Sequence, residues 1–259
     1  MVRVLAVTNQ KGGVGKTTTT VNLAASLAES KQRVLLVDLD PQGNATMGSG
    51  IEKRDLQSSV YDVLLGNKTV AQARKAAGVG GYDVLPANRE LAGAEVELVD
   101  MPKREMRLQE SLQAVISEYD YVLIDCPPAL NLLTLNGLCA AKTVMIPMQC
   151  EYYALEGLSD LVNTIRKVRA SLNPVLEIEG LLRTMFDPRN ALAQQVSAQL
   201  EAHFGDKVYR TVIPRNIRLA EAPSYGMPAL YHDRTSKGTQ AYLALAGEML
   251  NLSSKIKAA

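Results

Sequence analysis

Residues 11 to 18 read Lys-Gly-Gly-Val-Gly-Lys-Thr-Thr, between the apolar run Val4-Leu5-Ala6-Val7 and a stretch with helical spacing. A glycine-rich turn in that position restricts the chain to folds that cradle nucleotide phosphates between a buried strand and a helix. Gly12, Gly13 and Gly15 let the backbone approach anionic oxygens and adopt positive φ, and the helix that follows adds its positive end. Lys16 would neutralise terminal phosphates, and Thr17 would offer its hydroxyl to Mg²⁺. Lys11, Gly12, Gly13, Val14, Gly15, Lys16, Thr17 and Thr18 are therefore the candidate binding loop for ATP or a close relative. A solvated turn carrying two lysines is the plainer reading, and the apolar strand ahead of the loop argues against it.

Short runs rich in Val, Ile and Leu alternate with longer amphipathic segments, the rhythm of βαβ units around a sheet buried on both faces. The expected fold is α/β and doubly wound, a mostly parallel sheet flanked by helices, of the P-loop NTPase kind. At 259 residues and 47% hydrophobic the chain suits one domain spanning 1–259. Strands are predicted over 2–8, 33–38, 82–85, 121–125, 143–147, 177–185 and 207–213. Helices are predicted over 17–30, 104–118, 155–172, 191–204 and 237–252. The stretch 40–59 is rich in Gly, Asn and Ser with little periodicity, and reads mostly as a loop that nucleotide could order.

Composition excludes several classes. A net charge of +1 is not that of a histone-like protein, so any nucleic-acid site must be a local patch. The three cysteines, Cys126, Cys139 and Cys150, are odd in number and lack C-x-x-C spacing, which reads as buried thiols in a reducing compartment. The predicted first strand begins within two residues of Met1, so no signal peptide is expected, and no apolar run approaches the roughly 20 residues of a membrane span. No membrane and a cytoplasmic location are the expectation.

Two further strands end in carboxylates. Val37-Asp38-Leu39-Asp40-Pro41-Gln42-Gly43-Asn44 closes an apolar run with two acids, and ligands of open parallel sheets bind beyond such strand ends. Tyr121-Val122-Leu123-Ile124-Asp125-Cys126-Pro127-Pro128 has the Walker B pattern, with Asp125 expected to hold Mg²⁺ through water.

Where the general P-loop pattern has glycine this chain has Gln10, followed by the additional Lys11. In this it resembles the deviant Walker A ATPases of the ParA/MinD superfamily. Ile213-Pro214-Arg215-Asn216, Glu221-Ala222-Pro223-Ser224 and Cys150-Glu151-Tyr152-Tyr153-Ala154-Leu155-Glu156-Gly157-Leu158 extend the resemblance along the chain, to the ParA/Soj branch. The resemblance implies an ATP-sandwiched homodimer in which Lys11 reaches the partner's phosphates, so the catalytic set becomes Lys11, Lys16 and Asp40, with Asp40 positioning the attacking water. It places Asp38 near the Mg²⁺ shell, giving Thr17, Asp38 and Asp125 as the metal set, and makes Pro214 and Asn216 adenine contacts. It further implies a slow ATPase stimulated by DNA and by a ParB/Spo0J-type centromere-binding protein, nucleoid-associated and engaged in chromosome or plasmid partitioning.

Between Arg183 and Arg218 there are six Lys or Arg (Arg183, Arg189, Lys207, Arg210, Arg215, Arg218) and three acids (Asp187, Glu201, Asp206), a local positive excess. The resemblance assigns Arg189 and Arg218 to non-specific DNA binding. With the loop starting at residue 11, the operator-binding extension of some plasmid relatives, and with it operator-specific autorepression, is not expected. A MinD-like membrane ATPase is the alternative, and it needs an amphipathic C-terminal helix. The tail 249–259 has no aromatic and little apolar face after Leu252. A non-hydrolysing scaffold is the other alternative, and Asp38, Asp40 and Asp125 disfavour it.

Overall fold

The apolar runs pair edge to edge. The computed structural model describes residues 2–258, with side chains through Asn251. Among these residues seven strands form one sheet: β1 (Arg3–Val7), β2 (Val34–Asp38), β3 (Lys75–Ala76), β4 (Asp83–Leu85), β5 (Tyr121–Asp125), β6 (Thr143–Gln149) and β7 (Glu177–Thr184). Their order is β3-β4-β2-β5-β1-β6-β7, parallel throughout except for the two-residue edge strand β3. Strand alternation feeds two cores. Val4, Ala6, Leu35, Val37, Val122 and Ile124 face one, and Leu5, Val7, Val34, Leu36 and Leu123 face the other. The second core is closed by helix α1 (Lys16–Glu29) and the long helix Lys237–Ala258, so the sheet is covered on both faces, as its unbroken hydrophobic runs require.

The order places three loops side by side. Val7 of β1 and Asp38 of β2 are both in register with Asp125 of β5, so the glycine-rich loop, the segment after Asp38 and the segment after Asp125 leave the sheet along one rim.

Two expectations need correction, each because side chains take over backbone bonds. The predicted strand 207–213 is not a strand. It runs beside β7 with single bridges at Leu181–Val208 and Phe186–Pro214. The Arg183 guanidinium donates to the carbonyls of Tyr209 and Arg210, and the Glu248 carboxylate accepts from the N–H groups of Arg210 and Thr211, so these groups are not available to a ladder. The predicted helix 104–118 is α-helical only over Arg107–Leu112, with a 3₁₀ turn at Ile116–Glu118. Asn136 inserts its amide between Arg104 and Leu108, donating to one backbone carbonyl at 2.8 Å and accepting from the other's N–H at 3.1 Å, where a helical bond would run. The stretch 40–59 is mostly loop, as expected, with a short helix at Asn44–Gly48 and a 3₁₀ turn at Lys53–Asp55. Helix Leu132–Ala140, unannounced by any amphipathic stripe because it is apolar nearly all round, fills the first core. The tail from Leu252 onward, weighed above by its apolar face, has its side chains outside the described residues.

Asn136 is fully buried and also bonds the Leu132 carbonyl. Asn136→Ala should therefore lower the free energy of unfolding by about 2–3 kcal/mol, because it leaves buried backbone groups unpaired. Urea denaturation measures this, and an unchanged midpoint would contradict the bridging role.

Candidate active site at the ends of β1, β2 and β5

The glycine-rich loop is open where a phosphate would lie. A side chain at Gly12 or Gly13 would meet nothing within 4 Å, and Gly13 and Gly15 sit at φ +74° and +87°, values that favour glycine. The loop is pinned from outside. Thr184 Oγ1 donates to the Val14 carbonyl at 2.7 Å, while Asn9 donates to the Pro147 carbonyl and accepts from the Lys11 N–H. Lys16 is buried and donates to the Lys11 carbonyl at 3.0 Å, curling back over the loop. Burial holds its ammonium below the usual lysine range, partly offset by Asp125 and Asp40.

Helix α1 starts in this loop and turns Thr17 and Thr20 toward one carboxylate. Thr17 Oγ1 donates to Asp125 Oδ2 at 2.7 Å and Thr20 Oγ1 to Asp125 Oδ1 at 3.1 Å. On the neighbouring strand, Asp38 Oδ2 accepts from the backbone N–H and the hydroxyl of Thr46 at 2.8 and 2.7 Å, and its Oδ1 accepts from the Asp40 N–H. Thr46 Oγ1 also accepts from the Ala87 N–H. Both carboxylates are fully buried, and burial pushes each well above the ordinary carboxylate range, with Asp38 adding repulsion at Asp125. Asp40 is half-buried, and its carboxylate closes a turn by accepting from the Gln42 N–H.

The remaining residues fall into two groups. Thr18, Pro214 and Asn216 line a cavity of about 150 Å³ beside Gly15, with Thr184, Met185 and Tyr242. Asn216 caps the next helix by accepting from the Arg218 N–H. Lys11 points away from the loop and pairs with Glu151 at 2.5 Å on the outer rim. Arg189 and Arg218 are exposed but engaged, Arg189 in a two-point contact with Asp187 and Arg218 with Glu221 and Asp233. Of the six basic residues counted between 183 and 218, Arg183 leaves the patch. It is buried, paired with Glu201 and hydrogen-bonded to Ser197.

Comparison with known proteins gives the lineage. A family model described as an AAA domain matches residues 2–178. The sporulation initiation inhibitor protein Soj of Bacillus subtilis is 57% identical over 96% of this chain and 98% of its own length. The chromosome partitioning protein ParA of Caulobacter vibrioides is 52% identical over 96% of this chain and 94% of its own. The chain belongs to the ParA/Soj family. A solved structure from Mycobacterium smegmatis, described as cobyrinic acid a,c-diamide synthase with bound ATP analog and magnesium, superposes with a TM-score of 0.85 at 40% identity, over 96% of this chain and 95% of that one.

In this ParA/Soj chain Thr20, Thr46, Thr184 and Asn9 also hold the site, beyond the residues its motifs mark. Thr20 had a signal, since it stands one helical turn after Thr17. The others hold the site from segments whose nearness only the fold creates. A hard cation suits what remains. Thr17 and Asp125 present oxygen donors side by side, and neither buried carboxylate has an ion-pair partner among the described residues. No cluster of three His, Cys, Asp or Glu side chains that could hold a metal occurs among the described residues, so phosphate and water oxygens would complete the shell.

The raised carboxylates fix a pH dependence. Between the unfolded and the raised native values the native state binds more protons, so unliganded stability falls as pH rises through that window. Asp125→Asn should flatten that fall and stabilise the unliganded chain at neutral pH by about 1 kcal/mol or more. Urea midpoints across pH measure it, and a less stable variant with an unaltered profile would contradict the burial argument.

Proposed function

We propose that this chain is an ATP- and Mg²⁺-dependent chromosome-partitioning ATPase that works as a sandwich dimer on DNA. The observation that carries the reading is the convergence of Lys16, Thr17, Asp38, Asp40 and Asp125 at three adjacent strand ends, in a chain that aligns with Soj and ParA over 96% of its length.

In this reading the loop 11–18 wraps the phosphates with backbone N–H groups. Lys16 swings from the Lys11 carbonyl onto the terminal phosphate oxygens. Thr17 and Asp125 hold Mg²⁺, which when bound neutralises charge on the phosphates. Asp38 fixes the backbone of Asp40, and the free Asp40 oxygen orients the water in line. The cavity beside Pro214 and Asn216 takes the adenine. Lys11 leaves Glu151 and reaches the phosphates of the other protomer. Non-specific DNA phosphates replace Asp187 as the partner of Arg189, and Glu221 and Asp233 as partners of Arg218, so binding is strongly salt-dependent. Hydrolysis stimulated by a ParB/Spo0J-type partner opens the dimer and releases it from the nucleoid.

Among the described residues no helix is long and apolar enough to cross a membrane.

Asp40→Ala should lower ATP turnover by about 100-fold or more while leaving nucleotide binding intact, so that an ATP-bound dimer accumulates. Phosphate release and light scattering measure the two effects, and ordinary turnover would refute the assignment. Arg189→Glu should abolish non-specific DNA retention with ATP-dependent dimerisation preserved. Loss of both would mean that Arg189 supports the structure rather than the DNA contact.

A further inference from the structure

Asp187 is tied to Arg189 twice, once through the side chain and once through the backbone. Its carboxylate accepts from the guanidinium at 3.0 and 2.9 Å, and Oδ1 also accepts from the Arg189 backbone N–H at 2.9 Å. The backbone bond belongs to the turn and does not move with the side chain. When the Arg189 side chain, 89% exposed, swings onto a DNA phosphate, the turn keeps Asp187 in place, and an unpaired carboxylate is left beside the phosphate backbone. Repulsion between those like charges opposes the contact.

A second cation lies within reach. The bridge between Phe186 and Pro214 is parallel, and the Phe186 N–H donates to the Ile213 carbonyl at 3.0 Å, so the next residues along the two segments, Asp187 and Arg215, come side by side. Arg215 is exposed, and unlike Arg183, Arg189 and Arg218 its guanidinium has no hydrogen bond or ion pair among the described residues. Asp187 already feels its charge. Hydrogen bonds from Arg189 hold the carboxyl down at about 2, and the nearby Arg215 adds to the effect.

We propose that Arg215 is a positioning residue for the DNA contact, taking over the Asp187 carboxylate when Arg189 turns to a phosphate. This rests on the DNA-binding reading above and adds to it the means by which Arg189 is released. Arg189 exchanges one anion for another, Asp187 exchanges one guanidinium for another, and no unpaired charge remains at the interface. Asp187 competes with phosphate for Arg189, and Arg215 sets how strongly it competes. Arg215 stands between Pro214 and Asn216 on the wall of the cavity that takes the adenine in that reading, so the residue that frees Arg189 belongs to a segment that nucleotide also touches.

The test is a double-mutant cycle on affinity for a fluorescently labelled duplex of arbitrary sequence, read by anisotropy at low salt with the hydrolysis-dead Asp40→Ala chain in ATP and Mg²⁺. Asp187→Asn keeps an oxygen for the Arg189 N–H and removes the charge, and it should tighten binding by roughly fivefold. Arg215→Gln should weaken binding by roughly fivefold, and Arg215→Lys should restore most of the loss. In the Asp187→Asn background Arg215→Gln should cost nothing. An equal loss in both backgrounds would mean that Arg215 itself holds a phosphate and would overturn the inference, as would single variants of unchanged affinity. A parent that does not bind the duplex, or one whose binding survives Arg189→Glu, would overturn the DNA-binding reading and the inference with it.

Discussion

Asp38 and Asp125 occupy paired positions on neighbouring strands, both wholly buried, with one ammonium, Lys16, near Asp125 and no ion pair to either acid among the described residues. Carboxylates in that setting are held by donors or they are neutralised. Here the donors are hydroxyls and backbone N–H groups from Thr17, Thr20, Asp40 and Thr46, none of which carries a charge of its own. The cost is borne by the unliganded fold. In the proposed function a hard cation relieves that cost by taking the place of the protons that burial favours on these acids.

Asp38 also links two parts of the site. One of its oxygens steadies the Asp40 backbone and the other orders the start of the short helix Asn44–Gly48. The loop between them is therefore already shaped before ligand arrives, closed by Gly43 at φ +61°, where an added Cβ would lie 2.6 Å from the Ala87 carbonyl oxygen. Order in this segment comes from a buried carboxylate rather than from apolar spacing, which explains why it read as a loop.

The glycine-rich loop, the two acid-ended strands and the alternation of elements were legible in the sequence because each depends on local residue type. Strand register then brought Asp38 and Asp125 together without further information. What stayed hidden was carried by contacts between distant segments: Asn136 dividing a predicted helix, Glu248 and Arg183 replacing the bonds of a predicted strand, Thr184 clamping the loop from the end of β7. A count of charges also misjudged Arg183, since composition does not distinguish a buried guanidinium that holds the edge of the sheet from a solvated one. Arg189 and Arg218 are engaged with neighbouring carboxylates, so the basic surface is conditional on what displaces Asp187, Glu221 and Asp233.

The family resemblance assigns Lys11 to another protomer's phosphates, and its outward position on Glu151 while Lys16 occupies the loop leaves it free of its own loop. Mixing equal amounts of Lys11→Ala and Asp40→Ala chains, each inactive alone, tests this directly through phosphate release. Acting across the interface, the Asp40→Ala chain lends its lysine to a Lys11→Ala site that retains Asp40, and random pairing should restore roughly a quarter of the unmodified rate. If Lys11 serves its own site, no mixed pair contains a complete set, and the mixture will be as inactive as its parts.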